Sequence, residues 1–578
     1  MDIQTGINDS YNDNRKARGY RTFKIPYAFS QSGWKFLCGF FIVVTLIACN
    51  SKEQPQVTSK NELISYLDTL EQRYENACMQ MGIANWNSYS KEGSYNLDEA
   101  KAELGKIFLD TTARHIIEKW RDKSDVLADK QLARRLELWN RCFIGGAIYA
   151  NPEIAAIENS LQQKITNFKF KFKGSSITRA KLTTMMRGEK RQLARRALWS
   201  VTSQVSEIAA KDLTQLISLR NEQSKKHGFE NYFSLALHLQ SIDEKWLLKT
   251  LTDLEKQTRF AFEEFVASSK TTLHLKIFGP WDFDYSLRLT ASLPDKYFPS
   301  DSVFTVIHRF QHGIGFPVDS LPIKEVIKDI PYGGLSLAIK IPTDSRFLVN
   351  PTKGKGFYAV AFHEYGHSLK AVHTNMKYPI FKGYEWVPGA QCAAYEEGVA
   401  EMHSEFTEDS LWLSMFTKAT SKQIESYMMD RRIPSLYRLR RLLKDFFFEY
   451  EMYKHPQQDL VALERSMFNK YLLVELSERE PHQYASSIWY TSYPCYYQNY
   501  ILAAMIATQL QEALTNKFGD SKFHNPDVAS WIIEHLYSRG EYEEWMDRIR
   551  NATGKSLEPG AYLRKLGIED TKSLTQDL

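Results

Sequence analysis

From Ser59 to about residue 270 apolar residues recur at three- and four-residue intervals almost without a break, and this periodicity limits the fold more than any other feature of the chain. Ser59 and Glu62 have the spacing of a capping box. Leu63, Tyr66, Leu67, Leu70, Tyr74, Ala77, Cys78 and Met81 then follow on one helical face. Residues 99–120, 130–148, 189–227 and 245–269 read as further amphipathic helices, with Arg187, Glu189, Lys190 and Arg191 on a solvated face. Only 28 Gly and 19 Pro punctuate 578 residues, so few turns are encoded and a mainly α fold is predicted. The prolines crowd into one place: Pro280, Pro294, Pro299, Pro317, Pro322, Pro331 and Pro342. There, 335–341 and 346–349 read as two short strands on either side of a Pro-Thr-Asp turn, and helix resumes at Gly356. A small sheet is therefore expected inside a helical protein.

The first residues stand apart from this pattern. A basic stretch with Arg15, Lys16, Arg18, Arg21, Lys24 and Lys35 precedes the apolar run 36–48, which stops at Cys49. Thirteen such residues are too few for a bilayer span of about twenty, but they suit the core of a secretory signal. Leu46-Ile47-Ala48-Cys49 resembles the bacterial lipoprotein signal, which implies removal of 1–48 and lipidation of Cys49. It also implies a polar tether over 49–60 and a functional unit over 61–578, held at the periplasmic face or the cell surface. An ordinary secretory signal is the alternative. Of the net charge of +5, the leader carries +3, leaving no electrostatic case for nucleic acid. Cys78, Cys142, Cys392 and Cys495 show no metal or redox spacing, and either buried thiols or one or two disulfides would suit them.

Within the helix expected at about 356–376 lies His363-Glu364-Tyr365-Gly366-His367. Positions i and i+4 share a helix face, so two imidazoles converge on one Zn²⁺ while Glu364 faces the open coordination position. Ala359, Val360, Ala361, Phe362, Leu369 and Val372 make this helix apolar enough to be buried, and buried histidines need a ligand or partners. A third ligand is expected from a second helix. Glu397 and Glu401, again at i and i+4, offer one carboxylate for the metal and one for a ligand histidine, with Glu396, Glu385 and Glu405 as competing candidates.

An HExxH motif followed by ExxxE resembles zinc peptidases of the glutamate-ligand type. Further stretches are similar to the angiotensin-converting-enzyme (peptidyl-dipeptidase A) family: Ala84-Asn85-Trp86-Asn87, Arg220-Asn221-Glu222, Gly228-Phe229-Glu230-Asn231-Tyr232, and Tyr493 to Tyr500 leading into Gln511-Glu512-Ala513-Leu514. The resemblance implies a two-lobed helical ellipsoid with a deep central channel and one Zn²⁺ at its floor. His363, His367 and Glu397 would bind the metal, Glu401 would support a zinc histidine, and Glu364 would activate a zinc-bound water as general base. Tyr500 falls on the oxyanion donor and Tyr497 on a substrate contact, with Tyr493 and Tyr496 as alternates. Leu337 and Ala338 would lie on the edge strand that pairs with a peptide backbone.

Some family positions are missing. The substrate-binding histidine falls at Tyr490, the carboxylate-binding lysine at Ile488 and the chloride arginine at Asn499, although His482 lies near in sequence. The spacing from His367 to Glu397 also requires a loop insertion near 376–388. The expected activity is hydrolysis of short peptides, with release of C-terminal dipeptides as one form of it. An oligoendopeptidase and a non-catalytic peptide-binding lipoprotein are the rivals. The basic stretch from Arg431 to Lys444 carries Leu436, Leu439, Leu442, Leu443, Phe446 and Phe447 at helical spacing, so it is expected to be a core helix with a solvated basic face.

Overall fold

A computed structural model describes residues 57–330 and 332–568. The leader, Cys49 and most of the tether lie outside the described residues. Among the described residues no helix is long and apolar enough to cross a membrane.

The first helix, Lys60–Ser90, begins at the expected capping box: Ser59 accepts from the Glu62 amide and the Glu62 carboxylate accepts from the Ser59 amide. Two of the long periodic segments are divided. The stretch 99–120 breaks into Leu97–Phe108 and Thr111–Trp120 because Asp110 accepts from the Ala113 amide and starts a new helix. The stretch 189–227 becomes Gln192–Ser200 and Ser203–Lys226. A two-stranded hairpin, β1 (Phe170–Phe172) and β2 (Ser175–Ile177), was not legible in the sequence; it turns through Lys173 and Gly174, both at positive φ.

The sheet beside the HExxH helix has three strands rather than two. β3 (Ile323–Ile327) runs parallel to β5 (Asp344–Val349), and β4 (Gly334–Lys340) pairs antiparallel on the other side of β5, so β4 is an edge strand. Its alternate residues divide between two surfaces. Leu337 and Ile339 are buried in a cluster with Trp86, Ile330 and Leu348. Ser336 faces the HExxH helix, where Ser336 and Ser345 meet the Ser368 hydroxyl at 3.1 Å each.

Besides the cluster under β4, two larger hydrophobic cores form. One unites the first helices up to Phe143 with Ile341, Ala371 and the segment from Ile380 to Ala390. The other runs from Ile148 to Leu566 and takes in most of the HExxH helix, Lys355–His373. Two glycines beside the candidate ligands set how closely the central helices pack. A Cβ on Gly366 would lie 3.0 Å from the Ala400 Cα, and one on Gly398 would lie 2.7 Å from the Ile506 Cβ. The HExxH helix thus meets Ala393–Phe406 through Gly366, and that helix meets Tyr497–Phe518 through Gly398.

The helix Arg432–Lys454 buries Leu436, Leu439, Leu442, Leu443 and Phe446 as expected, but its basic residues are only partly solvated: Arg432 is exposed while Arg438, Arg441 and Lys444 are half-buried. Arg440 is wholly buried and donates to the Tyr471 and Glu255 carbonyls, while Arg438 turns towards Glu401. Arg220, also buried, donates to the Tyr490 and Thr491 carbonyls and so fixes the segment that leads into the tyrosine run. Cys78, Cys142, Cys392 and Cys495 are all buried free thiols.

Candidate metal centre

His363 and His367 project from one face of the HExxH helix, with their Nε2 atoms 3.1 Å apart. Glu397 reaches across from the helix Ala393–Phe406, its Oε2 3.4 Å from His363 Nε2. One donor atom from each of the three lies within 4.8 Å of the others. Two metal–ligand bonds of about 2.05 Å at the tetrahedral angle place their ligand atoms about 3.3 Å apart. The separations of 3.1 and 3.4 Å match that spacing, and all three donor atoms lie within 4.8 Å of one another. Soft thiolates are absent from the set, so its two nitrogens and one oxygen suit a borderline divalent ion.

A second layer holds these donors in place. His363 Nδ1 lies 3.4 Å from Glu401 Oε2, and Arg438 donates to the other oxygen of Glu401 at 3.4 Å. Tyr496 donates to Glu397 Oε1 at 3.0 Å. Burial works against a charged His363, but its hydrogen bonds to Glu397 and Glu401 outweigh it and push the pKa up to about 10. His367 goes the other way, to about 3, because burial and the His363 charge both disfavour protonation. The two imidazoles thus differ: His363 is charged by its carboxylates and His367 is held neutral.

Glu364 is 8% exposed and lies under the first residue of β4: a Cβ on Gly334 would come within 2.6 Å of its Oε1. Burial, with the Glu397 charge adding to it, raises the Glu364 carboxyl to about 7. The metal side chains themselves stay open to solvent, His363 at 18% and Glu397 at 20% exposure.

The structure places the remaining predicted residues unequally. Tyr500 packs edge-on against Tyr496 at 5.3 Å, and Glu397 and Glu364 both act on its phenol, so it faces the centre. Tyr493 is 42% exposed beside Trp489 and Tyr496. Tyr497 does not reach the centre. It is 5% exposed, its hydroxyl meets Ser487 at 3.2 Å, and its ring packs on Tyr490. The reason is rotation: Tyr496 and Tyr500 are four residues apart on one face, whereas Tyr497 is turned by about 100° into the core.

Leu337 and Ala338 are also corrected. The Leu337 side chain is 1% exposed, and at Ala338 the strand is covered by the first helix, where a Cβ on Gly82 would lie 3.7 Å from the Ala338 carbonyl. The Gly334 end of the strand lies against Glu364. Tyr490 is buried with its hydroxyl towards Asp445, and His482 bonds Ser206, so neither stands in for the missing histidine. Of the competing carboxylates, Glu396 pairs with Lys370 and Glu405 with Lys565, while Glu385 faces the centre from outside the ligand set. Arg438 is the functional residue that sequence reasoning missed, since only the fold brings it to Glu401.

No family model matches the chain. Oligopeptidase A of Escherichia coli (strain K12) is similar at 23% identity, across 62% of this chain and 62% of that protein, so the chain spans less than two thirds of that relative. Solved structures align over far more of it. Trypanosoma cruzi metallocarboxypeptidase 1 has a TM-score of 0.59 at 15% identity, covering 88% of this chain and 99% of that one. The M32 carboxypeptidase of Deinococcus radiodurans R1 gives 0.59 at 11% identity, with 87% and 97% covered. Pyrococcus furiosus carboxypeptidase gives 0.62 at 12% identity, with 88% and 99% covered. At such identities the likeness establishes the fold: the protein shares the mainly α architecture of these carboxypeptidases.

Proposed function

We propose that the protein is a zinc-dependent peptidase that hydrolyses short peptides. The observation that carries this reading is the His363, His367 and Glu397 donor set at tetrahedral spacing, with the Glu364 carboxyl directly beside it. The names of the similar proteins, an oligopeptidase and several carboxypeptidases, support the same class of reaction. Bound zinc would supply a Lewis acid that acidifies water and polarises the scissile carbonyl.

Glu364, with a carboxyl near neutrality at about 7, is suited to take a proton from the attacking water and return it to the departing amine. The Tyr500 phenol is held protonated well above its ordinary pKa by burial and by the Glu397 charge, so it is available as a donor to the oxyanion. Tyr496 is already engaged with Glu397 and acts as an orienting group instead. The Gly334 end of β4 would align the peptide backbone against Glu364.

The test is metal analysis and peptide hydrolysis on one purified sample. Glu364→Gln should keep the metal and lose at least about a hundred-fold in kcat, the contribution typical of general-base catalysis. Near-normal turnover by that variant would sink the mechanism, and a metal-loaded wild type that binds peptides without cleaving them would favour the non-catalytic alternative. Product masses from peptides with free and amidated C-termini then separate release of C-terminal residues or dipeptides, the form that the peptidyl-dipeptidase resemblance favours, from internal cleavage. We also propose lipid anchoring at Cys49 outside the cytoplasm, supported by the Leu46-Ile47-Ala48-Cys49 ending. Labelled palmitate should enter the wild type and not Cys49→Ser.

A further inference from the structure

The chain enters β4 across the HExxH helix. A Cβ on Gly333 would meet Val360 Cγ2 at 3.4 Å and Cγ1 at 3.8 Å, whereas a Cβ on Gly334 would meet Glu364, at 2.5 Å from Cγ, 2.6 Å from Oε1 and 2.8 Å from Cδ. Val360 and Glu364 are one turn apart on the same helix face, so the two glycines cross successive turns of it. They differ in what a methyl group would do. At Gly333 it would make an ordinary van der Waals contact; at Gly334 it would overlap three atoms of the side chain that serves as general base. Neither glycine has a positive φ, so backbone conformation does not demand glycine at either position. The demand at Gly334 is for space alone.

The side chain, rather than the strand, is the partner able to yield. Gly334 pairs with Val349 and Leu335 with Leu348. The Asn350 amide donates to the Gly333 carbonyl at 2.9 Å, and the Asn350 side chain donates to the Ile330 carbonyl at 2.6 Å. The Ser336 hydroxyl meets that of Ser368 at 3.1 Å, and Ser345 donates to the same Ser368 oxygen at 3.1 Å. Ser368 directly follows the candidate ligand His367, so this hydroxyl cluster registers the strand against the metal helix. Leu337 and Ile339, 1% and 2% exposed, root the rest of β4 in its own cluster. Glu364 Cγ and Cδ, by contrast, move by rotation about single bonds. To pass from 2.5 Å to the 3.4 Å of ordinary contact, Cγ would have to retreat by about 0.9 Å. A displacement of about 1 Å at a reacting group costs on the order of a hundred-fold in rate.

We infer that Gly334 is a positioning residue for Glu364: the space left by its missing side chain seats the carboxylate beside the metal donors, and the Ser336, Ser345 and Ser368 hydroxyls hold that seat in place. The inference rests on the peptidase reading, because Gly334 acts on the reaction through Glu364.

The experiment compares two adjacent substitutions of equal size in the zinc-loaded full chain, with a fluorogenic short peptide that the wild type cleaves. Gly334→Ala should lower kcat about a hundred-fold while KM and metal content stay as in the wild type. Gly333→Ala should keep the wild-type kcat. A crystal structure of Gly334→Ala should show Glu364 in a changed rotamer under an unmoved β4. Thermal melts in a Glu364→Ala background close the cycle: with Cγ, Cδ and the carboxylate gone, Gly334→Ala should lower Tm less than it does in the wild type. Equal kcat in Gly334→Ala and Gly333→Ala, or a Tm loss as large without the Glu364 side chain as with it, overturns the inference. A metal-loaded wild type that cleaves no short peptide sinks the peptidase reading instead, and the melts still decide whether Gly334 seats Glu364.

Discussion

The polar groups around the metal centre are held in two different ways. On the wall made by the HExxH helix and Ala393–Phe406, almost every charged atom has a partner: His363 has Glu397 and Glu401, Glu401 has Arg438, Glu397 has Tyr496, and Glu396 has Lys370. Nearby, Glu385 has no hydrogen-bond or ion-pair partner among the described residues, burial and the neighbouring carboxylates raise its carboxyl to about 8, and β4 is an edge strand of its sheet. Saturated partners fix a side chain in one rotamer, which a metal site needs. The group with saturated partners is the one suited to hold a metal.

The comparison breaks most sharply at Glu397. Glu397→Ala should remove the third ligand, release the metal on gel filtration and abolish hydrolysis; metal analysis of the eluted protein reads the loss directly. A smaller effect is expected one layer out. Glu401→Ala and Arg438→Met should each weaken metal affinity about 10- to 100-fold, measured by competition with a chelator, while the fold remains as it is. If Arg438→Met leaves metal affinity untouched, the chain from His363 to Arg438 is not a working unit.

The smallest effect lies outside both groups and serves as a control. Burial raises the Glu449 carboxyl to about 8 and the Glu464 carboxyl to about 7, from 4.5 when exposed. Above pH 4.5 the unfolded chain sheds these protons while the folded chain keeps them, so the unfolded state binds fewer protons and stability falls as pH rises. The decline should run from about pH 4.5 to about 8 and cost about 1 °C of Tm per pH unit for each carboxyl in a chain of this length. Glu464→Gln should flatten its share, and a thermal melt series across that range checks it.

What was legible in the sequence was what local geometry fixes. The i and i+4 spacing sets His363 with His367 and Glu397 with Glu401 on their helix faces wherever those helices go, and the Ser59 capping box closes within a single turn. The tyrosines were harder. Tyr496, Tyr497 and Tyr500 crowd one turn, and which of them meets the metal centre depends on where the helix starts and how it is rotated, which its packing through Gly398 decides. β3 was invisible because a five-residue parallel strand takes its partner from far along the chain. The arginines of Arg432–Lys454 read as solvated because an amphipathic pattern treats charge as water-facing; Glu255 and Glu401 arrive only with the tertiary fold.

The sequence by itself thus determined the helical class of the protein and the pairs of residues able to meet on a helix face, since each follows from spacing along one element. Only the tertiary structure decided that Glu397 meets His363, that Tyr497 turns away, that the Leu337 side chain is buried, and that the Gly334 end of β4 lies against Glu364. Those outcomes depend on how separate elements approach one another, and the approach is set by close helix packing at Gly366 and Gly398 and by burial of the surfaces between them.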